Sequence, residues 1–182
     1  MGTEISVTLK ERECLARLLG MEFIKEAWFV GGSLRRETSK DIDIVVVTTK
    51  KTTLNNVAFD QPGFEVQACF QHYSEGDDWL QGKDCVIKLI HEDCRPIDLL
   101  MVSNDWTGDI TSYMTKYFPL DIQRIAMNVF TGEVKDIYPG GNYIIVKPGI
   151  AAYSPTVLKY MGYYPDHIFL KEIKNLEFPP PL

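Results

Sequence analysis

Apolar residues in "SVTLKERECLARLLGM" fall at Leu9, Cys14, Leu15, Leu18 and Leu19, close to one stripe at the helical period. This predicts an amphipathic helix with Thr8 or Ser6 as its cap. The pattern then shortens. "EAWFV" and "DIDIVVV" read as two strands joined by a glycine-rich turn and a short helix. "GFEVQACF" reads as another strand. "CVIKLI" and "PIDLLMV", separated by "HEDCR", read as a hairpin or as neighbouring strands. Between them and the preceding strand, "QHYSEGDDWLQGKD" is a polar loop with room for one helical turn. "GDITSYMTKYF" fits a short helix, and "AMNVFTGEVKDIY" fits a hairpin about its Thr-Gly turn. Beyond Ser154, the apolar residues Leu158, Tyr160, Ile168, Phe169 and Ile173 suit one or two docking helices, and Pro165 breaks any single one. The order predicts an α+β (mixed α/β) domain with a mixed central sheet flanked by helices.

Composition narrows the function classes. The 182 residues suit one domain, or one with a small appendage, and 45% hydrophobic with 24% charged residues is ordinary for a globular protein. A net charge of -6 argues against sequence-independent coating of nucleic acid, which runs on Lys and Arg, but leaves room for a local basic groove. Cys14, Cys69, Cys85 and Cys94 form no CxxC pair and read as reduced packing residues. His72, His91 and His167 follow no metal spacing. The polar start lacks the apolar core of a signal peptide, and no run is long enough to cross a bilayer. The expected location is therefore cytoplasmic, with no membrane partner.

The candidate chemistry lies in "WFVGGSLRRETSKDIDIVVV". Strand side chains alternate faces, so Asp41 and Asp43 share one while Ile42, Ile44 and Val46 pack on the other. Two carboxylates on one face repel unless a positive group lies between them. A hard divalent cation such as Mg2+ takes oxygen ligands and accompanies substrate phosphates. Gly31 and Gly32 let backbone N–H groups approach an anion, the Ser33 hydroxyl can donate to a phosphate oxygen, and Arg35, Arg36 and Lys40 can neutralise further phosphate charge. The plainer readings are an ordinary tight turn for "GGS" and surface charges for the arginines. Asp98, alone between Ile97 and Leu99 on a predicted strand, is the candidate third carboxylate of a two-metal site. Its other reading is a structural carboxylate paired with Arg95 or Lys88.

The "GGS" and "DID" elements with a later lone Asp resemble the signature of the DNA polymerase β-type nucleotidyltransferase superfamily. "GGSLRRETSKDIDIVVV" is most similar to the first motif of class II tRNA nucleotidyltransferases and bacterial poly(A) polymerases, GG-x-x-R-D, a spacer, then D-x-D. Gly31, Gly32, Arg35, Asp41 and Asp43 match, and Arg36 stands where the family has Asp. In "LDIQRIAMNVFTGEVKDIYPGG", Asp121, Ala126, Met127, Asp136, Pro139, Gly140 and Gly141 fall in step with a second family segment. There Pro119 and Leu120 replace paired arginines, and Ile125 replaces an Asn. The resemblance runs from Glu22 to Gly141.

It implies a polymerase-β-like catalytic head over residues 1–150, with a helical or irregular extension over 151–182 packed on it. The implied reaction is Mg2+-dependent transfer of a nucleoside monophosphate from a nucleoside triphosphate to an acceptor hydroxyl, with release of pyrophosphate. The first-choice acceptor is a tRNA-like RNA 3′ end. Two Mg2+ ions, or Mn2+ in their place, are implied on Asp41, Asp43 and Asp98, with Gly31, Gly32, Ser33, Arg35, Arg36 and Lys40 around the triphosphate. The family's later helical domains, which select the base and hold the tRNA, have no counterpart in residues 142–182. A partner subunit or a second copy supplying that surface stays open. So do a small-molecule or protein acceptor, and a catalytically silent copy used as a binding module.

Overall fold

The computed structural model describes residues 6–35, 39–49, 63–70, 85–102, 108–151 and 154–171. Helix α1 (Leu9–Leu19) begins with a reciprocal cap. The Thr8 hydroxyl accepts from the Glu11 N–H, and the Glu11 carboxylate accepts from the Thr8 N–H, so two of the donors that every helix start leaves over are satisfied. Cys14, Leu15, Leu18 and Leu19 of the predicted stripe are buried, together with Glu11, while Leu9 at the helix start is exposed.

Seven strands follow as one sheet: β1 (Ile24–Val30), β2 (Ile42–Thr48), β3 (Phe64–Phe70), β4 (Cys85–His91), β5 (Cys94–Val102), β6 (Ile125–Asn128) and β7 (Val134–Asp136). Their spatial order is β3-β4-β5-β2-β1-β6-β7. Every neighbouring pair is antiparallel except β2 and β5, which run parallel. The two predicted hairpins, β4–β5 and β6–β7, form as expected.

The central strands are apolar on both faces because both are covered. Ile42, Ile44 and Val46 of β2, with Ile97, Leu99 and Met101 of β5 and Phe29 of β1, pack in one cluster with Leu15, Leu18 and Leu19 of α1. On the opposite face Val45, Val47, Leu100, Val102, Trp28 and Val30 meet Ile110, Tyr113 and Met114 of helix α2 (Ile110–Tyr117). Asp109 caps α2, its carboxylate accepting from the Ser112 N–H at 2.8 Å.

A third cluster holds Leu120, Ile122, Ile144, Val146, Val157 and Tyr160. It joins strand β8 (Tyr143–Val146) to helix α3 (Pro155–Tyr163), which Ser154 caps. Here the structure corrects the tail. Ile168 and Phe169, expected on a docking helix, form strand β9 (Ile168–Lys171), which pairs in parallel with the unpredicted β8. Pro165 cannot continue α3, and the backbone groups of Ile168–Lys171 pair with β8 instead. Through this pairing the extension beyond residue 150 is joined to the chain before it. Ile173 and the loop at 71–84 lie outside the described residues. No helix among the described residues is long and apolar enough to cross a membrane. All four cysteines are free thiols, and burial pushes that of Cys94 up to about 12.

Candidate active site

Alternation along β2 places Asp43 on the face that α2 covers further along, on the same side as Val45 and Val47. Parallel pairing sets Asp43 directly against Asp98 of β5, in a register that also matches Val45 with Leu100. Directly opposed residues point to the same side, so the two carboxylates stand together on strands about 4.8 Å apart. On the other side of β5, Lys88 of β4 opposes Asp98 and its Nζ lies 2.8 Å from Asp98 Oδ1. The ammonium is held above the usual lysine range first by this hydrogen bond, with burial acting against it and the charges of Asp98, Asp41 and Asp43 adding to it. Lys88 therefore sits in the field of all three aspartates. Asp41 stands just before β2 and is exposed. Of the two partners considered for Asp98, Lys88 is the one found.

The Gly31–Leu34 turn follows β1 as a short tight helical turn. Gly31 adopts φ +78°, which L-residues avoid, and a Cβ there would stand 3.7 Å from Asp43 Oδ2. The glycine turn and the Asp43 carboxylate are thus immediate neighbours. Gly32 and Ser33 belong to the same turn. Arg36 lies outside the described residues, and Lys40 is exposed beside Asp41. Arg35 reaches toward β7. Its Nε donates to the Ile122 carbonyl at 2.7 Å, its Nη2 donates to Asp136, and its guanidinium carbon lies 5.0 Å from the centre of the Tyr138 ring. The two family-like segments of the sequence are joined by this one side chain.

Behind the turn, Arg95 organises the loop that delivers Asp41. It pairs with Glu11 through Nη2–Oε1 at 2.9 Å and Nε–Oε2 at 3.0 Å, and donates to the carbonyls of Ser39 at 3.1 Å and Ser6 at 3.0 Å. The Ser39 hydroxyl in turn donates to the Asp41 carbonyl at 2.9 Å. Burial alone would raise the Glu11 carboxyl, but hydrogen bonds from Arg95 and from the Thr8 N–H outweigh it and hold Glu11 at about 2.

Two further groups feel these charges, Tyr160 that of Asp43 and Asp121 that of Arg35. The Tyr160 hydroxyl on α3 is raised by burial, eased by a hydrogen bond with Gln123 and raised again by the Asp43 charge. Asp121 is buried, with Oδ1 accepting from the Ile145 N–H at 2.9 Å. Burial raises its carboxyl while the Ile145 and Ile122 N–H groups draw it back. Asp121 also lines an open cavity of about 570 Å³ with Pro139, Gly140, Tyr143, Ile145 and Leu170, none of them a predicted site residue. Sequence reasoning treated Lys88 only as a partner for Asp98 and gave Glu11 no role. A lysine inside the apolar run "CVIKLI" was the signal for the first, and the Thr-x-x-Glu pattern at 8–11 was the signal for the second.

Part-buried carboxylates on one sheet face are the right donor type for a hard divalent ion. In this conformation Asp98 is turned onto Lys88, and no group of three or more His, Cys, Asp or Glu among the described residues is arranged to hold a metal ion.

No protein-family model matches the chain. No curated protein matches it either. Among solved structures it is similar to a "tRNA-processing enzyme (apo form I)", with a TM-score of 0.53 and 14% identity, covering 94% of this chain and 46% of that one. The chain thus spans less than half the length of that structure. A likeness at this identity carries the fold and not the activity.

Proposed function

We propose that this chain is a nucleotidyltransferase that moves a nucleoside monophosphate from a nucleoside triphosphate to an acceptor hydroxyl, with an RNA 3′ end as the first acceptor. The observation that carries this reading is the register of Asp43 against Asp98 on neighbouring parallel strands, with the Gly31 turn against Asp43. Two carboxylates opposed on neighbouring strands, with a glycine turn against one of them, offer oxygen donors beside a backbone that can receive a phosphate. Mg2+ or Mn2+ held by Asp41, Asp43 and Asp98 would offset charge growing on the reacting phosphate and ease deprotonation of the acceptor hydroxyl.

The chain's own residues divide the remaining work. Backbone N–H groups of the Gly31–Leu34 turn approach the triphosphate, with Arg36 and Lys40 adding charge. Arg35 fixes the turn in place. Asp98, once released from Lys88, takes the acceptor proton. The acceptor oxygen bonds to the α-phosphorus, the bond from that phosphorus to the bridging oxygen breaks, and pyrophosphate leaves with the electron pair. The solved structure of similar fold is a tRNA-processing enzyme, which supports RNA as the first acceptor to test.

The test is a transfer assay with purified protein, Mg2+, each α-labelled triphosphate and total cellular RNA. The expected result is label in a discrete RNA band, lost in Asp41→Ala/Asp43→Ala. Absence of label in RNA overturns the RNA-terminal reading and directs the assay to small-molecule and protein hydroxyls.

One observation favours a second reading, a silent copy of the fold used as a binding module: Lys88 already neutralises Asp98. Thermal unfolding with Mg2+ and each triphosphate separates the two, because a ligand that binds the native state raises the midpoint by mass action. No shift with any of them favours the silent module.

A further inference from the structure

We infer that Arg124 is the arginine that receives a phosphate group of the nucleoside triphosphate, through its guanidinium fork beside the Gly31–Leu34 turn. The inference rests on the nucleotidyltransferase reading for the identity of its ligand, and it needs no metal ion at the aspartates.

Three observations lead to it. The first is its place. Val30 opposes Asp43 on one side and Ala126 on the other, so Ala126, Val30, Asp43 and Asp98 stand in one row across the sheet. Arg124 precedes Ala126 by two residues, toward the end of β1 where the glycine turn begins, and β6 lies against that turn. Arg124 Nη2 lies 3.4 Å from the carbonyl oxygen of Phe118, which packs with Val30 and Ala126 on the α2 side of the sheet, so Arg124 shares the side of Asp43.

The second is its unused donors. Among the described residues, two buried side-chain donor atoms lack a hydrogen-bond partner, Trp28 Nε1 and Arg124 Nε. Trp28 is 5% exposed and enclosed in the apolar cluster under α2, whereas Arg124 is part-exposed. The Nη2 bond to Phe118 is at the long limit for a hydrogen bond. Asp121 feels the Arg124 charge, but no carboxylate among the described residues forms an ion pair with it. A guanidinium carries its N–H donors in a planar fork that matches two oxygens of one phosphate. A phosphate seated at the turn fills Nε and Nη2 together as the side chain turns outward. The third is that the neighbouring arginines are engaged. Arg35 donates to Ile122 and Asp136, and Arg95 donates to Glu11, Ser39 and Ser6.

The experiment titrates inorganic tripolyphosphate, ATP and a short RNA oligonucleotide calorimetrically, in EDTA, into wild type, Arg124→Met, Arg124→Lys and Lys25→Ala. Arg124→Met keeps the apolar stem and removes the fork. It is expected to weaken tripolyphosphate and ATP binding by about 10- to 100-fold, the range for a hydrogen bond to a charged group. Arg124→Lys should recover only part of it, because an ammonium binds as a point charge. Lys25→Ala removes one exposed charge at the far end of β1 and should change nothing. The urea midpoint of Arg124→Met should stay close to that of wild type, because the Nε it removes has no partner to lose. Equal affinity in wild type and folded Arg124→Met overturns the inference and leaves the nucleotidyltransferase reading standing. Equal weakening in Lys25→Ala overturns it as a general charge effect, and weakening for RNA alone overturns it by moving Arg124 to the acceptor. If wild type binds neither tripolyphosphate nor ATP, the inference falls, and label transfer with Mg2+ separately decides the reading it rests on.

Discussion

Arg35 and Asp136, 101 residues apart in sequence, form an ion pair that ties the glycine turn after β1 to the edge strand β7. The Arg35 side chain is only 11% exposed, and its second hydrogen bond goes to the Ile122 carbonyl. A turn that must present backbone N–H groups to a ligand cannot drift, and this guanidinium anchors it from two directions.

Replacement of Arg35 should therefore be felt in stability as well as binding. Arg35→Ala is expected to lower stability by about 1–3 kcal/mol, the range for a hydrogen-bonded charge, read as the urea midpoint. Arg35→Lys should recover only part of it, because an ammonium cannot reproduce the fork that reaches Ile122 and Asp136 together. An unchanged midpoint in Arg35→Ala would show that the pair behaves like an exposed one.

The aspartates are expected to separate by activity and stability. Asp98→Asn should lower transfer by roughly 10²–10⁴, the usual contribution of a positioned proton acceptor. It also leaves Lys88 without its partner, at a cost under about 1 kcal/mol because the ammonium reaches solvent. Asp43→Asn should abolish transfer, since an amide is a poorer donor to a hard divalent ion than a carboxylate. Label transfer and urea unfolding on the same preparations check both.

The Glu11–Arg95 pair predicts an acid limb. Glu11 sits at about 2 against an ordinary 4.5, so the group binds its proton more readily in the unfolded chain. Its contribution is complete above about 4.5 and is lost as pH falls toward 2. The shift corresponds to something on the order of 3 kcal/mol for a side chain this buried. Urea unfolding at pH 6 and pH 3 should show wild type losing much of that difference. Glu11→Gln should be less stable at pH 6 and change less between the two. A parallel decline in both proteins would assign the acid limb to other carboxylates.

Gly31→Ala tests the turn itself. A Cβ at Gly31 meets Asp43 at ordinary contact distance, so collision is not the obstacle. Its φ of +78° is, at about 1–2 kcal/mol for a residue with a side chain. The variant is expected to unfold at a lower temperature and to bind triphosphate more weakly. Gly140→Ala, at φ +84° with open space around it, should show the thermal loss without the binding loss.

Much of this molecule is written locally. The stripe of α1, its Thr8 cap, the two hairpins and the start of α3 each follow from the spacing of neighbours, because helix and strand periods act over a few residues. The strand β8 was not legible, since "YIIV" is short and its pairing partner β9 lies beyond α3. The hydrogen bonds of Arg35 to Ile122 and Asp136 were not legible either, because those partners come from a segment far along the chain.

The sequence by itself determined the chemistry on offer: a glycine turn, two aspartates one residue apart at the start of a strand, and a lone aspartate in an apolar run. Alternation along each strand is a property of the backbone, so it could be read without any partner. Only the tertiary structure decided that β2 lies parallel to β5 with Asp43 against Asp98, and that Lys88 comes from the other side to hold Asp98. Strand order and register are set by how two apolar faces fill against α1 and α2 at once, and no single segment carries that information.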